Sequence, residues 1–73
     1  MPHPILNVAA YLFVPLNDRE ALQPRLLAAA QARALAGTIL LAEEGINLFL
    51  AGEPLPLRAF LDELRSDARF AAL

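Results

Sequence analysis

Residues 37–52 (GTILLAEEGINLFLAG) limit the fold of this chain more than any other segment. Two apolar runs, at 38–42 and 47–51, flank a short Glu-Glu-Gly turn, and this pattern predicts a β-hairpin. Neither run alternates clearly between apolar and polar residues, so both faces of the hairpin need cover. A chain of 73 residues can supply helices for one face only. We therefore expect the other face to meet a partner surface.

A further strand is predicted at residues 5–14 (ILNVAAYLFV), an apolar run that ends at Pro15 and is short for a helix. One of its faces would carry Val8 and its alternates, and the other would carry Tyr11 and Phe13. Neither face is plainly polar, which repeats the pattern of the hairpin.

Between this strand and the hairpin, the sequence predicts a helix that ends near Leu35. Asn17 is placed to cap its first turn together with Glu20, and Gly37 is expected to stop it in the left-handed conformation. Pro24 predicts a kink or a restart, because a proline inside a helix removes one backbone hydrogen bond. Apolar residues at helical spacing predict the buried stripe: Leu22, Leu26, Leu27, Ala30 and Ala34.

After the hairpin, leucine and phenylalanine recur at i, i+3, i+4 and i+7, which predicts a second amphipathic helix. The opposite side of this helix carries Arg58, Asp62 and Arg65, whose spacing predicts ion pairs within the helix. Its apolar positions are Leu57, Phe60, Leu61 and Leu64.

The predicted element order is βαββα, which indicates an α+β, ferredoxin-like fold without its closing strand. Right-handed crossovers place both helices on the same side of the sheet. The opposite side would then expose Tyr11 and Phe13, or their alternates, with one row of the hairpin. An apolar sheet face left open in this way indicates an interface.

The composition excludes several classes of function. The net charge of −2 and the pI near 5.1 argue against a strong, sequence-independent grip on nucleic acid. Cysteine is absent, which excludes a disulfide framework, a thiolate nucleophile and a cysteine-based zinc site. No apolar run approaches the roughly 20 residues that span a bilayer, and a cationic leader is missing. We expect a cytoplasmic location.

Few residues are candidates for chemistry or binding. Glu43 and Glu44 are adjacent acids. Their position in a solvated hairpin turn is a better explanation for the pair than a role in acid–base catalysis. Asn47 opens a strand after the turn, where its amide could bind a ligand or tie the backbone of the turn. His3 alone does not make a metal site. We predict no catalytic, cofactor-binding or metal-binding residue.

Arginines near the end of the chain are the candidates for contact with RNA. Arg65 and Arg69 could extend the row begun by Arg58 toward a phosphate backbone. Asp62 interrupts this row, so ion pairing on a solvated surface is the competing interpretation. The candidate interaction residues are therefore Glu44, Asn47, Arg65 and Arg69.

Three segments together resemble the N-terminal domain of the rhodanese-domain tRNA uridine hydroxylases. They are NVAAYLFVPLND at residues 7–18, GTILLAEEGINLFLAG at 37–52 and LRSDARFAAL at 64–73. The most specific element is the sequence Glu-Gly-Ile-Asn at 44–47. The resemblance covers nearly the whole chain.

The resemblance implies that residues 1–73 form an acylphosphatase-like, ferredoxin-like N-terminal domain that precedes a rhodanese domain. The whole protein would belong to a family linked to oxygen-dependent formation of 5-hydroxyuridine at the wobble position of tRNA, whose members are often named sulfurtransferases or rhodanese-like proteins. In that family the catalytic cysteine belongs to the rhodanese part. The chain would then be an accessory domain that is inactive alone and that supports docking or tRNA placement.

The sequence departs from the family at two places. Leu48 and Phe49 stand where a small Gly-Thr pair is frequent, which argues against approach of a substrate at this strand and commits more apolar surface to packing. Pro24 replaces a plain helix former and should bend the first helix without altering the fold. Acylphosphatase activity is not expected, because the loop at 15–19 begins with a proline, has no glycine and sets Asp18 beside its arginine.

The partners that we expect are the rhodanese domain of the whole protein, tRNA, or a second copy that pairs through the sheet face without helices. The sequence leaves these three alternatives open. A self-associating structural module with no direct substrate contact is the alternative function. A small-molecule sensor of the ferredoxin-like type is a third hypothesis, although no convergent polar groups support it.

Overall fold

The computed structural model describes residues 4–73, so His3 lies outside the described part of the chain. Its three strands and two α-helices follow one another in the predicted order, and a short 3₁₀ helix, η1, that the sequence did not predict comes after them. Their bounds are β1 (Leu6–Phe13), α1 (Arg19–Ala32), β2 (Ala36–Ala42), β3 (Gly45–Gly52), α2 (Pro54–Arg65) and η1 (Ala68–Phe70).

The three strands form one antiparallel sheet in the order β1-β3-β2. The hairpin of β2 and β3 is confirmed, and β3 lies in the middle because β1 pairs along its other side. Tyr11 of β1 stands opposite Asn47 of β3, which stands opposite Leu40 of β2. The α+β, ferredoxin-like fold class is confirmed in its βαββα form.

Both helices pack on one face of this sheet and build a single apolar core. α2 buries all four of its predicted apolar residues, and β1 alternates between half-buried and exposed positions. Full burial of one such side chain stabilises the fold by about 1.5–3 kcal/mol. The core consists of Leu16, Leu22, Leu26, Ala30, Ile46, Leu48, Leu50, Leu57, Phe60, Leu61, Leu64 and Phe70.

The boundaries of α1 differ from the prediction. The helix begins after Asp18, not Asn17, and no side chain caps it; it ends at Ala32 instead of near Leu35. The last turn is closed by backbone hydrogen bonds, since the amide of Ala34 donates to the carbonyl of Gln31 and that of Leu35 donates to the carbonyl of Ala30. This pair of bonds is the Schellman arrangement.

Ala34, and not Gly37, adopts the left-handed conformation that ends α1. The φ of Ala34 is 54°, whereas Gly37 lies within β2 at a φ of 129°. A Cβ atom on Gly37 would collide with the carbonyl oxygen of Phe49 on the neighbouring strand. The glycine is therefore required by the close approach of two strands and not by the helix stop.

Two further details of α1 differ from the prediction. The helix continues through Pro24, which lies on its exposed side, so the expected restart is wrong, whereas a kink at Pro24 stays a prediction. Leu27 and Ala34 were expected in the buried stripe, yet both are exposed, because only the row at Leu22, Leu26 and Ala30 faces the sheet.

Candidate functional site

The surface of the sheet opposite the helices is uncovered. Side chains of successive strand residues point to opposite faces, so the exposed row of β1 and its partners across β3 and β2 share one surface. We call this surface the open sheet face. It comprises Asn7, Ala9, Tyr11, Phe13, Thr38, Leu40, Asn47 and Phe49.

Four large apolar or aromatic side chains stand on the open sheet face. The exposed fractions are 59% for Tyr11, 69% for Phe13, 57% for Leu40 and 56% for Phe49. The rings of Tyr11 and Phe13 contact each other edge to face, with centroids 4.8 Å apart. An apolar cluster of this kind marks an interaction surface.

Charge is confined to other parts of the molecule. The open sheet face contains no aspartate, glutamate, arginine, lysine or histidine. The six arginines of the chain lie on α1, α2 and η1 or directly after α1. The face therefore offers no cation to a phosphate group.

Asn47 lies at the centre of the open sheet face, between Tyr11 and Leu40. Its side chain is half-buried and makes no hydrogen bond within residues 4–73. The interpretation that its amide ties the turn is therefore wrong, and its use as an interaction residue stays a prediction.

The acidic turn between β2 and β3 is held by its backbone. The carbonyl of Glu44 accepts a hydrogen bond of 2.9 Å from the amide of Val14, and the carbonyl of Glu43 accepts one of 3.0 Å from the amide of Leu16. Both carboxylates are exposed, and that of Glu43 lies 3.4 Å from Arg19. The carboxylate of Glu44 has no side-chain hydrogen bond or ion pair within the described residues.

Arg65 is exposed and only loosely held. Its Nη1 lies 3.7 Å from the carboxylate of Asp62, which is the predicted pair within the helix, and its Nε donates to the carbonyl of Leu73 at 3.0 Å. Arg58 has no ion pair with Asp62 in the described part of the chain. Arg65 and Arg58 therefore remain accessible on the outer side of α2.

Arg69 is bound to two carboxylates instead of standing free. Its guanidinium lies 2.5 Å from Asp18 and 2.7 Å from Asp67, and it covers the ring of Phe70 at 5.3 Å. We call Arg69, Asp18 and Asp67 the Arg69 cluster. It fastens η1 to the start of α1.

The Arg69 cluster shifts the titration of its members. Hydrogen bonds from the Arg69 guanidinium hold the pKa values of Asp18 and Asp67 below their usual value, and the two carboxylates raise the pKa of Arg69. No local pattern in the sequence predicts the contact of Asp18 with Arg69, because 51 positions separate them.

Two further classes of site are not found within residues 4–73. No group of three metal-ligating side chains occurs there, and every side-chain nitrogen or oxygen in the core has a partner or contacts solvent. No helix in this part of the chain has the length and apolar character to cross a membrane.

Comparison with known proteins shows the family to which the chain is similar. The family model of the UPF0176 acylphosphatase-like domain matches residues 5–73. A tRNA uridine(34) hydroxylase of Ralstonia nicotianae is 59% identical over 69 residues, which cover 94% of this chain and 24% of that protein. The proteins of the same name from Delftia acidovorans and Bordetella avium are 58% and 61% identical, over 26% and 28% of their lengths. The chain thus spans about a quarter of the length of these relatives.

Proposed function

The chain belongs to the UPF0176 acylphosphatase-like domain family, and from this premise we propose that residues 1–73 are the accessory N-terminal domain of a protein that modifies uridine 34 of tRNA. We call that longer protein the parent protein. Its remaining part would be the rhodanese domain, which would carry the catalytic cysteine.

The observation that carries this proposal is the match to the relatives. Identity of 59% extends over 94% of this chain, yet the matched region is only 24% of the relative from Ralstonia nicotianae. The segment also lacks cysteine, and no polar or charged side chain is buried within residues 4–73. These features support a domain that docks or positions, while the chemistry takes place elsewhere in the parent protein.

Replacement of the whole segment tests the proposal. The parent protein is produced in a bacterial strain without its own tRNA uridine(34) hydroxylase, and nucleosides from its tRNA are measured by mass spectrometry. We expect modification of uridine 34 to be lost when residues 1–73 are deleted and restored when the matching segment of the Ralstonia nicotianae protein replaces them. Full modification after the deletion would contradict an accessory role.

Direct placement of tRNA is a separate part of the proposal, supported by the exposed guanidinium of Arg65. Arg65→Glu in the parent protein should weaken tRNA binding at low salt if α2 contacts the phosphate backbone. Arg25→Glu, at an exposed position of α1, is the matched control because it makes the same change of charge. Equal affinities of the two variants would leave docking as the role of this domain.

Self-association is the second candidate function, and the apolar side chains of the open sheet face favour it. Sedimentation of the parent protein over a range of concentrations tests it. A dimer that Phe49→Ser dissociates and Leu55→Ser does not would support self-association, because Leu55 is equally apolar but lies on α2.

A further inference from the structure

We infer that the open sheet face is an intrachain docking surface, covered in the parent protein by a neutral, apolar surface of the polypeptide outside residues 1–73. The inference rests on the proposed function, since it requires the longer protein. It names the occupant of a face that the proposed function leaves open.

The uncharged, apolar character of the open sheet face requires an apolar partner surface. Tyr11, Phe13, Leu40 and Phe49 each have more than half of their surface in water, and their neighbours on the face are alanine, threonine and asparagine. Removal of this surface from water is favourable only against another apolar surface. Charged groups on a partner would lose their hydration on binding, and the face has no opposite charge to pair with them.

RNA does not fit this face as its principal occupant. Binding to a nucleic acid depends on cations that replace the counterions of the phosphates, and every arginine lies on the helical side or on η1. Aromatic rings can stack on bases, yet single-strand platforms combine such rings with a positive groove. The open sheet face has the rings and lacks the groove.

The size of the face favours a tethered partner over a second copy. Strands of seven or eight residues, spaced about 4.8 Å apart with a rise of about 3.3 Å per residue, give a footprint on the order of 400 Å². Two copies would bury on the order of 800 Å², which is below the roughly 1,200–2,000 Å² of stable complexes. The same area lies within the range of about 600–1,500 Å² found between domains of one chain.

A covalent tether removes the disadvantage of a small interface. Attachment of the partner on the same chain sets an effective concentration on the order of millimolar, so a modest contact area is sufficient. The relatives supply such a partner, because about three quarters of their length lies outside the matched region.

Asn47 adds one specific requirement to the partner surface. Its half-buried amide lies between Tyr11 and Leu40 and has no hydrogen-bond partner within residues 4–73. Covering the face without satisfying this amide would be unfavourable. The docking surface therefore presents one polar group, a backbone carbonyl or amide being sufficient, opposite Asn47.

Thiol labelling in the intact parent protein tests the inference. Residues 1–73 contain no cysteine, so one introduced thiol is the sole labelling site in the segment. Ala9→Cys and Thr38→Cys place it on the face without removing an apolar contact. Ala28→Cys and Ala59→Cys are matched controls on exposed sides of α1 and α2. The labelling rate of each introduced thiol in the native protein is divided by its labelling rate in urea. Peptide mass spectrometry identifies the labelled position.

We expect the two face positions to react about tenfold more slowly than the helix controls, because the centre of an interface is packed as densely as a protein interior. Addition of Leu40→Glu should return the Ala9→Cys rate to that of the controls. Equal rates at face and control positions would overturn the inference. Protection that disappears on dilution would show that a second copy covers the face. Protection that requires added tRNA would show that RNA covers it. Either result would also overturn the inference.

The assay separates this inference from the proposed function because labelling requires no tRNA modification. Protected face positions in a parent protein that leaves uridine 34 unmodified would contradict the proposed function alone. Unprotected positions in a protein that modifies tRNA would contradict the docking surface alone.

Discussion

Within residues 4–73, Ala34 is the non-glycine residue with a positive φ. Its φ of 54° is in the left-handed region, where a Cβ atom costs about 1–2 kcal/mol and glycine costs little. Since Ala34 is exposed, Ala34→Gly leaves no cavity. We predict that it raises the free energy of unfolding by about 0.5–1 kcal/mol, measured by urea unfolding of the domain. Ala28→Gly, in the middle of α1, should lower it by about 1 kcal/mol, and a gain at both positions would contradict the explanation.

The Arg69 cluster gives the stability of the domain a dependence on pH. The pKa values of Asp18 and Asp67 lie below their usual value near 3.8 in the folded chain. Their contribution is therefore complete above that value and is lost as the pH falls through the lower folded pKa values. We predict that Asp18→Asn lowers the melting temperature at pH 6 and reduces its further fall between pH 5 and pH 3, which thermal unfolding across pH measures.

Asp62→Asn is the control for this acid sensitivity. The carboxylate of Asp62 is exposed and lies 3.7 Å from Arg65, and exposed ion pairs contribute little to stability. An Asp18→Asn variant with the same acid-induced fall as the unsubstituted domain would show that the Arg69 cluster does not control it.

At the scale of elements, Pro24 makes α1 weaker than its length suggests. It lies at the sixth position of the helix, where a residue with an amide hydrogen would donate to the carbonyl of Glu20. We predict that Pro24→Ala raises the free energy of unfolding by about 1–2 kcal/mol, after allowance for the greater freedom of the unfolded chain. The midpoint of urea unfolding measures this change.

Pro56 provides the matched comparison for Pro24. It is the third residue of α2, and proline in a first turn removes no intrahelical hydrogen bond. Pro56→Ala should leave the urea midpoint unchanged or slightly lower. Equal increases of the urea midpoint in Pro24→Ala and Pro56→Ala would show that the missing hydrogen bond within α1 does not cause the gain in stability.

At the scale of the whole molecule, the two faces of the sheet should respond differently to the loss of an aromatic ring. Phe60 is 1% exposed in the core, whereas Phe49 is 56% exposed on the open sheet face. Phe60→Ala should destabilise the domain by about 3–5 kcal/mol, which is a large share of the roughly 4–11 kcal/mol expected for a chain of this length. Phe49→Ala should cost less than about 1 kcal/mol in the separate domain. Urea unfolding of both variants checks the difference, and similar losses would show that Phe49 is already covered.

Local sequence patterns were sufficient for most of the architecture. Short apolar runs bounded by turn residues marked β1 and the hairpin, because strands are shorter than helices. Apolar residues at a spacing of 3.6 marked α2, because side-chain direction repeats with that period in a helix. The same reasoning failed at the end of α1. There the hydrogen bonds that close the helix join backbone groups only. The residue types at positions 35 and 37 therefore did not show that Ala34 would adopt the left-handed conformation.

Of the candidate residues, the sequence located Asn47 on a strand and Arg65 on the outer side of α2, but it misjudged the surroundings of Arg69. From the sequence alone Arg69 is an exposed cation available to a phosphate. In the fold its guanidinium is shared by Asp18 and Asp67. Nothing local to residue 69 shows that residue 18 is its neighbour.

The sequence by itself determined which elements form, that the strands lack a clearly polar side, and that one sheet face would be left without helices. The first two properties follow from local residue patterns, which extend over one turn of helix or a few residues of strand. The third follows from the length of the chain and from the right-handed crossover rule. The tertiary structure alone decided which row of β1 faces outward, how Tyr11, Asn47 and Leu40 line up across three strands, and where the arginines stand relative to them. The reason is that strand register and the packing of helices on the sheet join residues far apart in the chain, through contacts that no short segment contains.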